Sequence, residues 1–219
     1  MGHEIDLMAN YPQPKRDVES RGEAKTEEDR AIARKFGKEF FDGERRHGYG
    51  GFNYSPRFWQ PVVSSFQKHF SLTAESSLLD VGCAKGFMMH DFAELIPGIT
   101  VKGTDISQYA IEHTIEDMRQ YVQVADAQHL PFPDNSFDVV ISINTIHNLD
   151  REECAQALRE IERVSKGKSF ITVDAYRNEA DRDRMFAWNL TAKTMMSTDE
   201  WIHFFDQVGY TGDYYWFIP

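Results

Sequence analysis

Leu78–Phe87 reads LLDVGCAKGF. An apolar run meets an acid at Asp80, and glycines at 82 and 86 bracket Cys83, Ala84 and Lys85. The run predicts a buried strand. Gly82 permits a tight exit from it, and Gly86 lets the next helix start in close packing. The spacing is not that of a dinucleotide turn, which would place glycines at 82, 84 and 87. Ala84 and Phe87 stand there instead. An acid just before the turn is poorly suited to a pyrophosphate and well suited to a ligand with an ammonium group.

Outward from this turn, strands and helices alternate. ITVKGTDI, YVQVADA, SFDVVISIN and KSFITVDAY read as strands. GFMMHDFAELI, SQYAIEHTIEDMRQ, REECAQALREIERVSK and STDEWIHFFDQVG read as helices, the last with capping-box spacing between Ser197 and Glu200. YTGDYYWFIP supplies a final strand. Nearly unbroken apolar strands separated by helices predict a parallel sheet covered on both faces. Ligands of such a sheet bind at the C-terminal ends of its strands.

Those ends carry acids. The second strand stops at Asp105, where a carboxylate can accept two hydrogen bonds from a ribose diol. The third stops at Asp126, beside Ala127, where a carboxylate can accept from an exocyclic amino group such as that of adenine. With Asp80, this makes a site for a cationic, adenosine-bearing ligand without phosphates. S-adenosylmethionine meets that description better than NAD does.

The order LLDVGCAKGF, VKGTDIS, ADAQHLPFPDNSFDVVIS, ALREIERVSKGKSFIT resembles the class I, Rossmann-like methyltransferases that use S-adenosylmethionine, and most nearly their small-molecule branch. The resemblance covers about residues 76–175, with the elements at 197–217 fitting the end of the fold. It implies an α/β, Rossmann-like three-layer sandwich with a mostly parallel sheet. It also implies roles. Gly82, Cys83, Ala84 and Gly86 would wall the methionine part, and Asp80 would orient the turn and the amino group. Asp105 would hold the ribose, Ile106 would pack on adenine, and Asp126 and Ala127 would bind it. Asn144 would offer its carbonyl to the ammonium. The chain departs from the pattern at Ala84, where a glycine is usual, at Lys85, and in its SKGKS turn. Its C-terminal strand region is short, so either the sheet lacks a strand or its edge is covered by another subunit, as in a homodimer.

Two parts are expected. Residues 1–70 would form an N-terminal arm and a helical, aromatic cap; residues 71–219 would form the cofactor-binding domain. The arm is polar to about residue 30 and becomes helical near Thr26, with Ile32, Phe36, Phe40 and Phe41 at helical spacing. PRFWQPVVSSFQKHF predicts a helix with Pro61 in or near its first turn. Between them lies HGYGGFNYSPRFW, which supplies Tyr49 to line the transfer site and Arg57 to meet the methionine carboxylate.

His147, after the fourth strand, is the expected general base, with Asn148 beside it to position substrate. Tyr176, Arg177, Trp188 and Asn189 follow the fifth strand and are the other expected substrate contacts. Cys83 reads as a small packing residue. The expected reaction is in-line transfer of the methyl group to a polar small molecule, oxygen before nitrogen, leaving S-adenosylhomocysteine.

A net charge of −11 argues against nucleic acid as the main partner. INTIHN is also unlike the Asn-Pro-Pro-Tyr type of enzymes that methylate base amino groups. Two unpaired-looking cysteines give no metal framework. No apolar run long enough for a membrane span and no leader-like start predict a cytoplasmic chain without a membrane partner. The alternatives are a non-catalytic module that senses S-adenosylmethionine or supports a partner, and an NAD-dependent oxidoreductase.

Overall fold

The computed structural model describes residues 2–12 and 25–219. The segment of the arm between them lies outside the described residues. Thr26 caps α1 (Glu27–Ala33), closing a capping box with Asp29. α2 (Lys38–Asp42) follows, and α3 (Pro56–Phe70) starts with Pro56 in its first turn and carries Pro61 inside it. The single helix expected through Phe41 is therefore two. Phe36 takes a left-handed φ of 48° between them, and Gly37 starts the second.

The sheet then builds as expected: β1 (Ser77–Val81), α4 (Phe87–Leu95), β2 (Thr100–Asp105), α5 (Gln108–Glu112), β3 (Val122–Val124), β4 (Val139–Ile143), α6 (Arg151–Val164) and β5 (Ser169–Tyr176). α7 (Glu179–Trp188), β6 (Met196–Ser197), α8 (Thr198–Val208) and β7 (Asp213–Phe217) complete it. The helix predicted over 107–120 is shorter. It ends at Glu112, and a 3-10 turn at Glu116–Tyr121 carries the chain to β3. The capping box at Ser197 and Glu200 forms.

Strand order is β3-β2-β1-β4-β5-β6, with β7 also on β5, and every pairing is parallel. Alternation along the strands sends Leu78, Val139, Ile141 and Phe170 into a core with α3 and α4. Leu79, Val140, Ile171 and Val173 go into a second core with α6 and α8. Each fully buried Leu or Phe contributes about 1.5–3 kcal/mol, so these faces hold the layers together. α3 shares the first core with the sheet through Val62, Val63 and Phe66.

The short C-terminus is resolved in a way neither expectation included. β7 is covered by the chain's own start. Ile5 N–H donates to the Tyr214 carbonyl (2.9 Å), Tyr214 N–H donates to that of His3 (3.1 Å), and Glu4 bridges Tyr214 in parallel. Leu7 continues into the core of α3 and α4. No helix among the described residues is long and apolar enough to cross a membrane.

Candidate functional site

The turn after β1 is held by β2. Gly82 and Cys83 N–H both donate to the Thr104 carbonyl, at 2.7 and 3.0 Å. Gly82 has φ of 88°, and a Cβ there would lie 2.1 Å from Thr145 Oγ1, so the position admits only glycine without movement. Ala84, where the family pattern has glycine, also takes positive φ, 49°. Its N–H donates to Asp105 Oδ2 at 2.8 Å, which holds the strained conformer. Cys83 is buried and its thiol lies far above its ordinary range through burial, then Asp80 and Asp105; it packs and is no nucleophile. Gly86 (φ 76°) opens α4.

Asp80 is 4% exposed, and no described group donates a hydrogen bond to its carboxylate. Burial, then the charge of Asp105, pushes it up to about 7. Burial raises Asp105 as well, against the N–H groups of Ser107 and Ala84. Each Asp105 oxygen accepts one of these (Ser107 to Oδ1, 2.8 Å), so each keeps a lone pair for a ligand. Ile106 beside it is 56% exposed, an apolar side chain left uncovered next to Asp105.

Other expected residues are placed less directly. Asp126 Oδ1 accepts the Gln128 N–H (2.9 Å), an Asx turn of its own, while Ala127 packs on the second core. Asn144 (φ 52°) is fixed by Thr172, whose hydroxyl donates to Asn144 Oδ1 (2.9 Å). The Asn144 carbonyl accepts from Asn148 Nδ2 (3.3 Å), and Asn148 Oδ1 is buried without a partner among the described residues. Tyr49 packs in the cap against Phe40, Phe41 and Phe52, within electrostatic reach of Asp105. Arg57 lies on the ring of Phe58 (4.6 Å) at the surface, and none of its described contacts reaches the turn.

His147, the expected general base, is buried. It is 4% exposed, and the Asp174 N–H donates to Nδ1 (3.1 Å). That leaves the proton on Nε2, which faces Asp174 Oδ1 at 3.6 Å. Burial lowers its pKa against the pull of Asp174. With its lone pair occupied, the ring positions backbone; its carbonyl also accepts from Lys193 and Thr194 (both 3.0 Å).

The four substrate candidates after β5 have internal partners. Tyr176 donates to Glu200 (3.3 Å), and Arg177 pairs with Glu4 (3.2 Å). Lys25 sits on the Trp188 ring and donates to its carbonyl. Asn189 closes a loop on Ala192 through both amide atoms, at 2.8 Å. Of the four, Asn189 alone lines a cleft of about 720 Å³ between α1 and the 189–195 segment, with Arg30, Arg34, Asp150, Phe186 and Lys193 also in its wall. Sequence reading missed this cleft because its two walls are about 150 residues apart (Arg34 Nε to the Thr191 carbonyl, |i−j| of 157).

The methyltransferase-domain family description matches residues 79–173, the span from β1 to β5. Residues 79–173, somewhat under half of the chain, thus match a methyltransferase domain. A tRNA (carboxymethyluridine(34)-5-O)-methyltransferase of Arabidopsis thaliana is 33% identical over 145 residues, covering 65% of this chain and 33% of that protein. A 27-O-demethylrifamycin SV methyltransferase of Amycolatopsis mediterranei is 30% identical over 142 residues, covering 59% of this chain and 52% of that one. The chain thus spans about half or less of these relatives' length. The fold is shared with the crystal structure of the MccD protein (TM-score 0.53, 23% identity, 71% of this chain and 72% of that one). It is also shared with that of the cyclase SpnF (TM-score 0.54, 23% identity, 68% and 56%). The cofactor of the methyltransferase domain is S-adenosylmethionine. The chain's own atoms fit it: a buried carboxylate with no cation beside it among the described residues, and a second with free lone pairs.

Proposed function

We propose that this chain transfers the methyl group of S-adenosylmethionine to a polar small molecule, with oxygen favoured over nitrogen. The observation that carries the reading is Asp80, a buried carboxylate that faces Asp105 and lacks a cation of its own. Two buried acids whose charges oppose one another are poorly suited to NAD and well suited to a ligand bearing positive charge. Asp80 would meet the ammonium, Asp105 the ribose diol, Ile106 the adenine face, and the turn from Gly82 to Gly86 the methionine chain.

S-adenosylmethionine supplies an activated methyl group on a positively charged sulfur. The protein's task is then to align the acceptor and exclude water. The cleft beside α1, lined by Glu27, Arg30, Arg34, Asp150 and Lys193, supports a polar acceptor. A chain of net charge −11 favours a small molecule over tRNA, the class named for one relative. With His147 buried, the acceptor's proton leaves to water or to another group of the cleft.

Calorimetric titration with S-adenosylmethionine and NADH tests the reading; selective micromolar binding of the former is expected. It should depend on pH. In the empty protein the Asp80 proton is retained up to about 7. Between the ordinary carboxylate range and that pH the folded chain binds a proton the unfolded chain has lost, so Asp80 lowers stability as pH rises. A cationic ligand reverses this by favouring the ionised form. Affinity should therefore rise by roughly tenfold from pH 6 to 8, with proton release. Asp80→Asn should flatten the profile. Preference for NADH, or a flat profile in the wild type, would overturn the assignment.

A further inference from the structure

Lys85 stands in the cofactor turn itself, two residues before α4, where its charge opposes the helix dipole. It is nevertheless 5% exposed. Its ammonium donates to both Asp42 oxygens (2.9 and 2.7 Å) and to the Phe52 carbonyl (2.9 Å), which uses all three of its protons. Asp42 also accepts from Tyr109 Oη (2.7 Å) on α5 and from Phe52 N–H (3.0 Å). Asp42 and Phe52 both belong to the cap.

The same strap is fixed to the neighbouring turn after β2, where Ser107 Oγ donates to the Phe36 carbonyl. Its aromatic side continues the contact: Phe52 stacks on Phe87 (4.9 Å) at the start of α4, and Phe41 on Tyr109 (6.3 Å). Between these fixings lies Tyr49, packed on Phe40, Phe41 and Phe52. Residues 36–54 therefore span the two turns that would hold the ligand, and Lys85 bolts the span to the first.

A buried ion pair gains little net stability, since desolvation offsets its attraction. What it does supply is a defined position. We propose that Lys85 is a positioning residue that locks the strap of residues 36–54 over bound cofactor, so that release of the cofactor requires the Lys85–Asp42 pair to part. The inference rests on the reading of the Gly82–Gly86 turn as the cofactor site. The path is short: Asp105 accepts from Ala84 N–H, Ala84 is bonded to Lys85, and Lys85 holds the strap by its ion pair with Asp42. A ligand that engages Asp105 thereby acts on the strap's anchor.

The test uses S-adenosylhomocysteine with the full chain, following release by stopped-flow protein fluorescence and protection of residues 36–54 by hydrogen exchange. The wild type should gain protection across the strap when the ligand binds. Lys85→Met paired with Asp42→Asn leaves no lone buried charge. It should release the ligand about tenfold or more faster. Its association rate should stay within about threefold of the wild type. It should melt as the wild type does and lose ligand-induced protection of the strap. Lys85→Arg, which keeps the charge, should retain part of that protection. Equal release rates in the paired variant, or a wild-type strap that exchanges alike with and without ligand, would overturn the lock. If the paired variant misfolds, the wild-type exchange measurement decides alone. Failure of the wild type to bind the ligand would refute the cofactor reading and the lock together.

Discussion

Gly82→Ala should be among the most damaging single substitutions in the domain. The new Cβ would sit 2.1 Å from Thr145 Oγ1 and 2.4 Å from its Cγ2, on a backbone with φ of 88°. Left-handed backbone costs a Cβ-bearing residue about 1–2 kcal/mol. Crowding a packed site adds about 1–3 kcal/mol. Thr145 is not free to turn away, because its hydroxyl donates to the Ile143 carbonyl (3.1 Å) at the end of β4. The clash thus pushes the first turn against the fourth strand's exit, where the ligand would lie. For a chain of this length the loss should lower the melting temperature by roughly 5–15 °C. Cofactor binding should fall below detection in calorimetry. Adding Thr145→Ala removes the contact but not the strained dihedral, so it should recover part of the stability. A singly substituted protein that melts and binds as the wild type does would show that the turn is not built as described.

Asp105→Ala should weaken S-adenosylmethionine binding most among the side-chain truncations. The carboxylate does two things at once. It presents lone pairs where a ribose diol would lie, and it takes the N–H groups of Ala84 and Ser107 at 2.8 Å. Loss of a charged acceptor is worth about 1–3 kcal/mol. That is roughly 5- to 150-fold in affinity. The substitution should exceed that range's lower half, because Ala84 loses the partner that stabilises its left-handed conformer. Asp105→Asn keeps one acceptor oxygen and should fall between alanine and wild type. Calorimetry at a fixed pH measures both. Unchanged affinity in Asp105→Ala would remove the ribose role.

The fold was legible because its signals are local. Apolar runs such as Leu78–Val81 and Val139–Ile143 are strands with both sides buried, and LLDVGCAKGF announces both strand and turn. Legibility failed where a side chain's fate depends on distant chain. His147 looked like a base at a strand end, but the 3-10 turn at Ile146–Asn148 tucks it against Asp174. Arg177 finds a partner 173 residues away at Glu4, which no local pattern could announce, whereas Asn189 does line the cleft beside α1. Helix length was overestimated twice, at Phe36 and after Glu112, because periodicity alone does not register a single residue with positive φ or a switch to 3-10 winding. Lys85 did carry a signal, a cation on the wrong end of a helix, but its partner Asp42 was unmarked in FFDGE.

The pairing of His3–Ile5 with β7 also sets a timetable. The His3 N–H donates to the Asp213 carboxylate across 210 residues. At about 5–20 residues per second, the ribosome adds Tyr214 roughly 10–40 s after His3. During that interval the arm has no strand to lie along, and once β7 docks on β5 its outer edge stays open until the arm returns. Open edges recruit other chains. The charges at Glu4, Asp6 and Asp213 make this edge a poor template for a second nascent copy. In the finished fold residues 3–5 cover that edge, and the same acids disfavour a second copy there.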